Sequence, residues 1–80
     1  MIYTSHRKRI LVTGGSGFLG WHLVKHLAKL HDVSYTYATR RVQIPRCQGL
    51  SLNFLHPSSI EPCVREADPE IVIHAAALAD

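Results

Sequence analysis

Eighty residues carrying a net charge of +3 make at most one small domain. A chain of this size buries only about 60% of the surface its unfolded form exposes. The apolar fraction of 46% and charged fraction of 19% argue against disorder for most of it. No stretch approaches the roughly 20 apolar residues of a membrane span, and the start "MIYTSHRKR" has no apolar core of signal-peptide length, so the default compartment is the cytosol. Arg7, Lys8 and Arg9 form a basic run that reads as a solvated lead-in over residues 1–8. A nucleic-acid footprint would need a larger stripe with interleaved aromatics, so no nucleic-acid partner and no membrane partner is expected.

The first predicted element is a strand over Arg9–Thr13, whose consecutive apolar residues imply burial on both faces. A helix is expected from Gly17 to Leu30, with Leu19, Leu23, Val24, Leu27, Ala28 and Leu30 as its apolar stripe. His22 and His26 stand four apart on the same helix, but the zinc motif's glutamate is missing, so they read as a solvated face and no metal site is expected. His31 and Asp32 form a turn, and Val33–Thr39 reads as a second strand. Arg40 to Gly49 contains a proline and a glycine without a helical stripe, which makes it an irregular connection. A third strand is expected over Leu50–Leu55 and a second helix over Pro57–Glu66, with Ser58 and Glu61 spaced as a capping box and Pro62 tolerated in the first turn. Glu70–Ala75 reads as a fourth strand. Cys47 and Cys63 read as free thiols.

Strands alternating with helices imply an α/β fold with a parallel sheet. Right-handed crossovers put the strands in the order 3-2-1-4. Ligands of such sheets bind beyond the strand carboxyl ends at the switch point. Thr13–Leu19, Thr39–Arg41, Asn53–Leu55 and His74–Ala77 gather there. The sequence stops just after the fourth strand, where a doubly wound sheet would continue, so it reads as cut short.

The stretch between the first strand and helix, "TGGSGFLG", decides which ligand chemistry is in reach. A helix start presents unpaired backbone N–H groups at the positive end of its dipole, and glycines let a phosphate approach them. Two glycine readings overlap. Gly15, Gly17 and Gly20 satisfy G-x-G-x-x-G, whose usual acidic companion about 20 residues on is replaced here by Arg40 and Arg41. Gly14, Gly17 and Gly20, preceded by Thr13, give T-G-x-x-G-x-x-G. The bland alternative is a glycine-rich turn that binds nothing.

With "RILVTGGSGFLGWHLV", "RR" after the second strand and "DPEIVIHAAA", the chain resembles the amino-terminal part of the extended short-chain dehydrogenases and reductases, in particular the dTDP-4-dehydrorhamnose reductase-like group. The resemblance implies a partial Rossmann domain over residues 9–80 that binds NADP, with NAD possible. It assigns Gly14, Ser16, Gly17, Phe18, Leu19 and Gly20 to the phosphate turn and Arg40 and Arg41 to the adenosine ribose. Asn53 and Phe54 fall near the adenine, and Ala75, Ala76 and Ala77 at a small-residue strand end beside the cofactor. Asn53 departs from the acidic residue usual in the family, which weakens that contact.

The implied function is the cofactor-binding part of a sugar-nucleotide reductase or epimerase-like protein, with a sugar nucleotide as substrate. The alternative is a regulatory subunit that resembles the beta subunit of methionine adenosyltransferase, binding the cofactor and a partner enzyme without turnover. The catalytic Tyr-x-x-x-Lys is missing: Tyr3 is followed four residues on by Arg7, Tyr35 by Thr39 and Tyr37 by Arg41. No catalytic residue is therefore assigned, and the chain alone is expected to be inactive.

Overall fold

The computed structural model describes residues 7–15, 17–38, 42–53 and 55–75. Strand β1 (Arg9–Thr13), with Ile10, Leu11 and Val12 as its apolar centre, sits inside the sheet, where only its first residue is exposed. It pairs in parallel with β2 (Asp32–Tyr37), Val12 opposite Tyr35, and with β4 (Ile71–His74), Val12 opposite Ile73. β3 (Gln48–Ser51) adds to β2 in parallel, giving the order β3-β2-β1-β4. The fold is thus the expected α/β architecture with an all-parallel sheet in the order 3-2-1-4.

Helix α1 (Phe18–Leu27) covers one face of the sheet. Ile10, Val12, Val24, Val33, Tyr35, Ile44 and Ala75 form the core there, flanked by half-buried Trp21, Leu23, Leu27 and Ala28. Leu11 alternates to the opposite face, is 1% exposed, and lies outside that cluster. Helix α2 (Ile60–Ala67), which contacts β1, carries the buried Cys63.

Several boundaries differ from the sequence reading. α1 stops at Leu27 rather than Leu30. Its last bonds tighten into Leu30 N–H to Leu27 O and His31 N–H to Leu27 O, and His31 Nδ1 accepts the Lys8 N–H at 3.1 Å, which draws the chain into β2. Leu19 and Leu30, read as part of the apolar stripe, are exposed. The buried line of the helix instead runs through Gly20 and Val24. β2 includes Asp32, and residue 39 lies outside the described residues.

β3 begins two residues before Leu50 because Gly49 admits the Tyr35 ring: a Cβ there would meet the Tyr35 hydroxyl oxygen at 2.8 Å. The ladder ends after Leu52 N–H donates to Tyr37 O. Asn53 then turns the chain, its Oδ1 accepting the Leu55 N–H at 2.9 Å and its carbonyl accepting the His56 N–H at 2.8 Å.

The second helix opens as a 3-10 turn over Pro57–Ser59. The capping box does not form. The cap residue is Ser59, whose hydroxyl is spent on the Asn53 and His56 carbonyls, while Glu61 pairs with Arg65 at 3.0 Å. Strand β4 is shorter than read and far less covered than β1, with Ile71 and Val72 more than 40% exposed. Between β2 and β3 the described residues 42–47 contain no helix, as expected of an irregular connection.

Candidate functional site

The overlap of glycine motifs resolves by geometry. Gly14 adopts φ 77°, which only glycine enters freely, and turns the chain out of β1. Its N–H donates to Thr36 Oγ1 at 2.9 Å, and the next N–H, of Gly15, donates to the Thr36 carbonyl at 3.0 Å. Thr36 thus fixes the turn with both its side chain and its backbone. Gly15 is buried against Tyr35: a Cβ would clash with the Tyr35 Cβ and lie 2.9 Å from its Cγ. Its glycine is explained by packing. Gly20 lets α1 press onto the turn, since a Cβ there would clash with the Gly14 carbonyl oxygen and lie 2.8 Å from its carbon.

Gly17 is different. It is the N-cap of α1, with φ −79° and ψ 170°, values open to any residue. A Cβ on it would meet only the Gly14 carbonyl oxygen at 3.5 Å, an ordinary contact, and the residue is exposed. Nothing among the described residues requires a glycine there.

The helix start is electrostatically open. Trp21 N–H to Gly17 O at 2.8 Å closes the first turn, so the N–H groups of Phe18, Leu19 and Gly20 have no partner within α1. Among the described residues no side chain caps the helix, and its first turn holds no acidic residue. The positive end of the dipole therefore faces outward uncompensated by a protein charge. The Phe18 and Leu19 side chains are exposed beside it, Phe18 resting edge-on to His22 with ring centroids 4.7 Å apart.

Of the other predicted site residues, Asn53 is half-buried. Its backbone N–H donates to Ser59 Oγ, and with Oδ1 committed to Leu55 its amide nitrogen is the end left for a ligand. Ala75 is 1% exposed and belongs to the core. Ser16, Arg40, Arg41, Phe54, Ala76 and Ala77 lie outside the described residues.

Sequence reasoning missed Thr36 and Tyr35. The Tyr35 ring lies against both Gly15 and Gly49, and its hydroxyl donates to Val42 O at 2.5 Å, tying the connection after β2 to the glycine turn. A buried tyrosine flanked by two distant glycines leaves no local signature, so nothing in the sequence pointed to it. Thr13 is also buried. Its Oγ1 lies 3.1 Å from His74 Nδ1, joining β1 to β4 at the same sheet end.

Elsewhere, burial pushes the Cys47 and Cys63 thiols up, and both are free. Among the described residues no cluster of His, Cys, Asp or Glu could hold a metal ion, and no helix is long and apolar enough to cross a membrane.

Residues 8–80 match the family model described as the RmlD substrate binding domain. The chain belongs to this family. It is also similar to a crystal structure of a candidate epimerase from Burkholderia cenocepacia J2315, with 32% sequence identity and a TM-score of 0.72 over 84% of this chain. The match covers 24% of that longer chain. The expected likeness to the short-chain dehydrogenase-like, RmlD-like amino-terminal region therefore holds, and the sheet described above corresponds to a part of that longer chain.

Proposed function

We propose that residues 9–80, behind a basic lead-in of residues 1–8, form the phosphate-holding part of a nicotinamide-dinucleotide domain in a cytosolic sugar-nucleotide reductase or epimerase-like protein. The observation that carries this reading is Gly17: a glycine that the packing of the described residues does not need, at an exposed helix start whose N–H groups lack partners within α1. A pyrophosphate needs that missing Cβ and those donors. The family match and the likeness to a candidate epimerase support the same class of protein.

In this reading the backbone of Gly14, Ser16, Gly17, Phe18, Leu19 and Gly20 holds the pyrophosphate. Thr36 keeps the turn in shape. Arg40 and Arg41 follow β2, where a guanidinium pairs with the 2′-phosphate that distinguishes NADP from NAD. Asn53 donates through its amide nitrogen to the adenine edge beside Phe54, and Ala75, Ala76 and Ala77 keep the strand end free of bulk. When bound, the reduced nicotinamide supplies the hydride for a keto-sugar. The chain's own residues bind and orient, and with no Tyr-x-x-x-Lys they supply no proton donor.

Titration of the isotope-labelled chain with NADPH tests this. The amide signals of Gly14, Phe18, Leu19 and Gly20 should move first and saturate together. Shifts confined to other residues, or none at millimolar NADPH, would refute the turn as the binding element. A charge-assisted contact is worth about 1.5 to 3 kcal/mol, so NADPH should bind on the order of tenfold to a hundredfold more tightly than NADH. Replacing Arg40 and Arg41 by alanine should remove most of that difference, and equal affinities in the unmutated protein would exclude the two arginines while leaving the glycine turn in place.

A further inference from the structure

The described basic residues divide into two groups. Arg7 pairs with Asp32, Lys8 with Glu70, Arg9 with Asp68 and Glu70, and Arg65 with Glu61. The remaining three, Lys25, Lys29 and Arg46, make no ion pair among the described residues. These same three line one cavity of about 190 Å³ whose other walls are Ala28, Ile44 and Pro45. Among the described residues no acidic side chain lines it. Arg46 also borders the adjoining cavity that holds Asp32, whose carboxylate is already taken by Arg7 at 2.9 Å.

Arg46 sits there at a cost. Cys47 N–H donates to Ile44 O at 3.2 Å, closing a turn with Pro45 second and Arg46 third, and Arg46 has φ 68°. That is the pattern of a type II turn, whose third position favours glycine or asparagine. An arginine held in the left-handed region without a carboxylate partner among the described residues is unexplained by the fold.

We infer that the cavity between the end of α1 and the Ile44–Cys47 turn is a docking surface for an acidic polypeptide segment with one apolar anchor. Three cations that lack a carboxylate among the described residues, around an apolar floor, are complementary to carboxylates flanking a leucine-like side chain. Size selects a polypeptide over a small molecule: ligand clefts typically run from about 300 to 1,000 Å³, whereas about 190 Å³ suits one inserted side chain. The surface is independent of the glycine turn, so the two readings stand or fall separately. Lys25 lies 4.2 Å from the centre of the Trp21 ring. Trp21 is the chain's single tryptophan and therefore reports directly on what reaches Lys25.

The test titrates the full chain with an acetylated dodecapeptide of glutamates around one central leucine, following Trp21 fluorescence and the amide signals of Lys25, Ala28, Lys29, Ile44 and Arg46. Saturable shifts at these residues are expected, weakening as salt is raised. Exposed ion pairs are individually small, and replacing all three cations by glutamine should weaken binding about fivefold or more. Arg46→Gly keeps the proposal falsifiable apart from folding: it relieves the turn, so the melting temperature should not fall, yet peptide affinity should. Equal binding of the same peptide with glutamine for glutamate, shifts produced equally well by inorganic phosphate or a single-stranded oligonucleotide, or no shift at these residues would each overturn the proposal.

Discussion

The two ends of the sheet are built in opposite ways. At the amino ends of the strands, charges are matched inside the chain: Arg7 with Asp32, Lys8 and Arg9 with Glu70, and the Arg9 Nε–H donating to the Asp68 carbonyl at 2.7 Å. Asp68, left-handed at φ 44°, ends α2 at that spot, and Glu70 N–H donates back to Arg9 O. At the carboxyl end, among the described residues, the turn from Gly14 to Gly20 is held by backbone and threonine bonds, and its helix start has no capping side chain. One end satisfies its polar groups internally. The other leaves donors aimed outward, which is what a site for an external anion requires.

The contrast breaks most severely at Gly20. Gly20→Ala forces a Cβ into the Gly14 carbonyl, and overpacking against backbone should cost about 3 kcal/mol, read as a drop in urea midpoint. Gly14→Ala follows, with about 1 to 2 kcal/mol lost because an L-residue must hold φ 77°. At the amino end, Asp32→Asn should lower stability by no more than about 0.5 kcal/mol, since the pair with Arg7 is exposed and screened. An unfolding curve shifted by more than that would mean the ion-paired end carries the fold.

Glu70 sharpens the comparison through pH. The Arg9 backbone N–H bound to its carboxylate is the main cause that lowers its pKa; burial opposes this, and the Arg9 and then the Lys8 charges lower it further, so the net shift is downward. Its folded-state pKa thus lies below the unfolded value. The stabilisation is complete above the unfolded carboxylate's pKa and is lost as pH falls through the folded one. Melting temperatures measured from pH 6 to pH 3 should fall less steeply in Glu70→Gln than in the unmutated chain. Identical slopes would remove Glu70 from the account.

Much of this frame was legible in the sequence because it rests on strong patterns. The apolar run of β1 predicted its burial and its central place, and alternation of elements predicted the strand order. The errors sit where a distant side chain overrides local pattern. β3 shifted because Tyr35 needs Gly49 and because Asn53 forms its own turn. The expected capping box gave way to Ser59 bonding back to Asn53. Leu19 and Leu30 fitted a helical stripe by spacing, but α1 is rotated so that Gly20 lies against the turn, and it ends before Leu30. For the site, the glycine spacing was readable and the division of labour among the glycines was not, because only the position of Tyr35 shows that Gly15 is there for packing.

The central claim is that Gly17 is a glycine for a ligand and not for the fold. Gly17→Ala, measured in parallel by thermal melting and by calorimetric titration with NADPH, tests it most directly. The account predicts a stability within about 1 kcal/mol of the unmutated chain, because the N-cap geometry accepts alanine and the lost cap preference is offset by a stiffer unfolded chain. It predicts at the same time a loss of NADPH affinity on the order of tenfold or more, from displaced charge-assisted backbone contacts. A variant that binds NADPH as well as the unmutated chain, or one destabilised as much as Gly20→Ala, would contradict it.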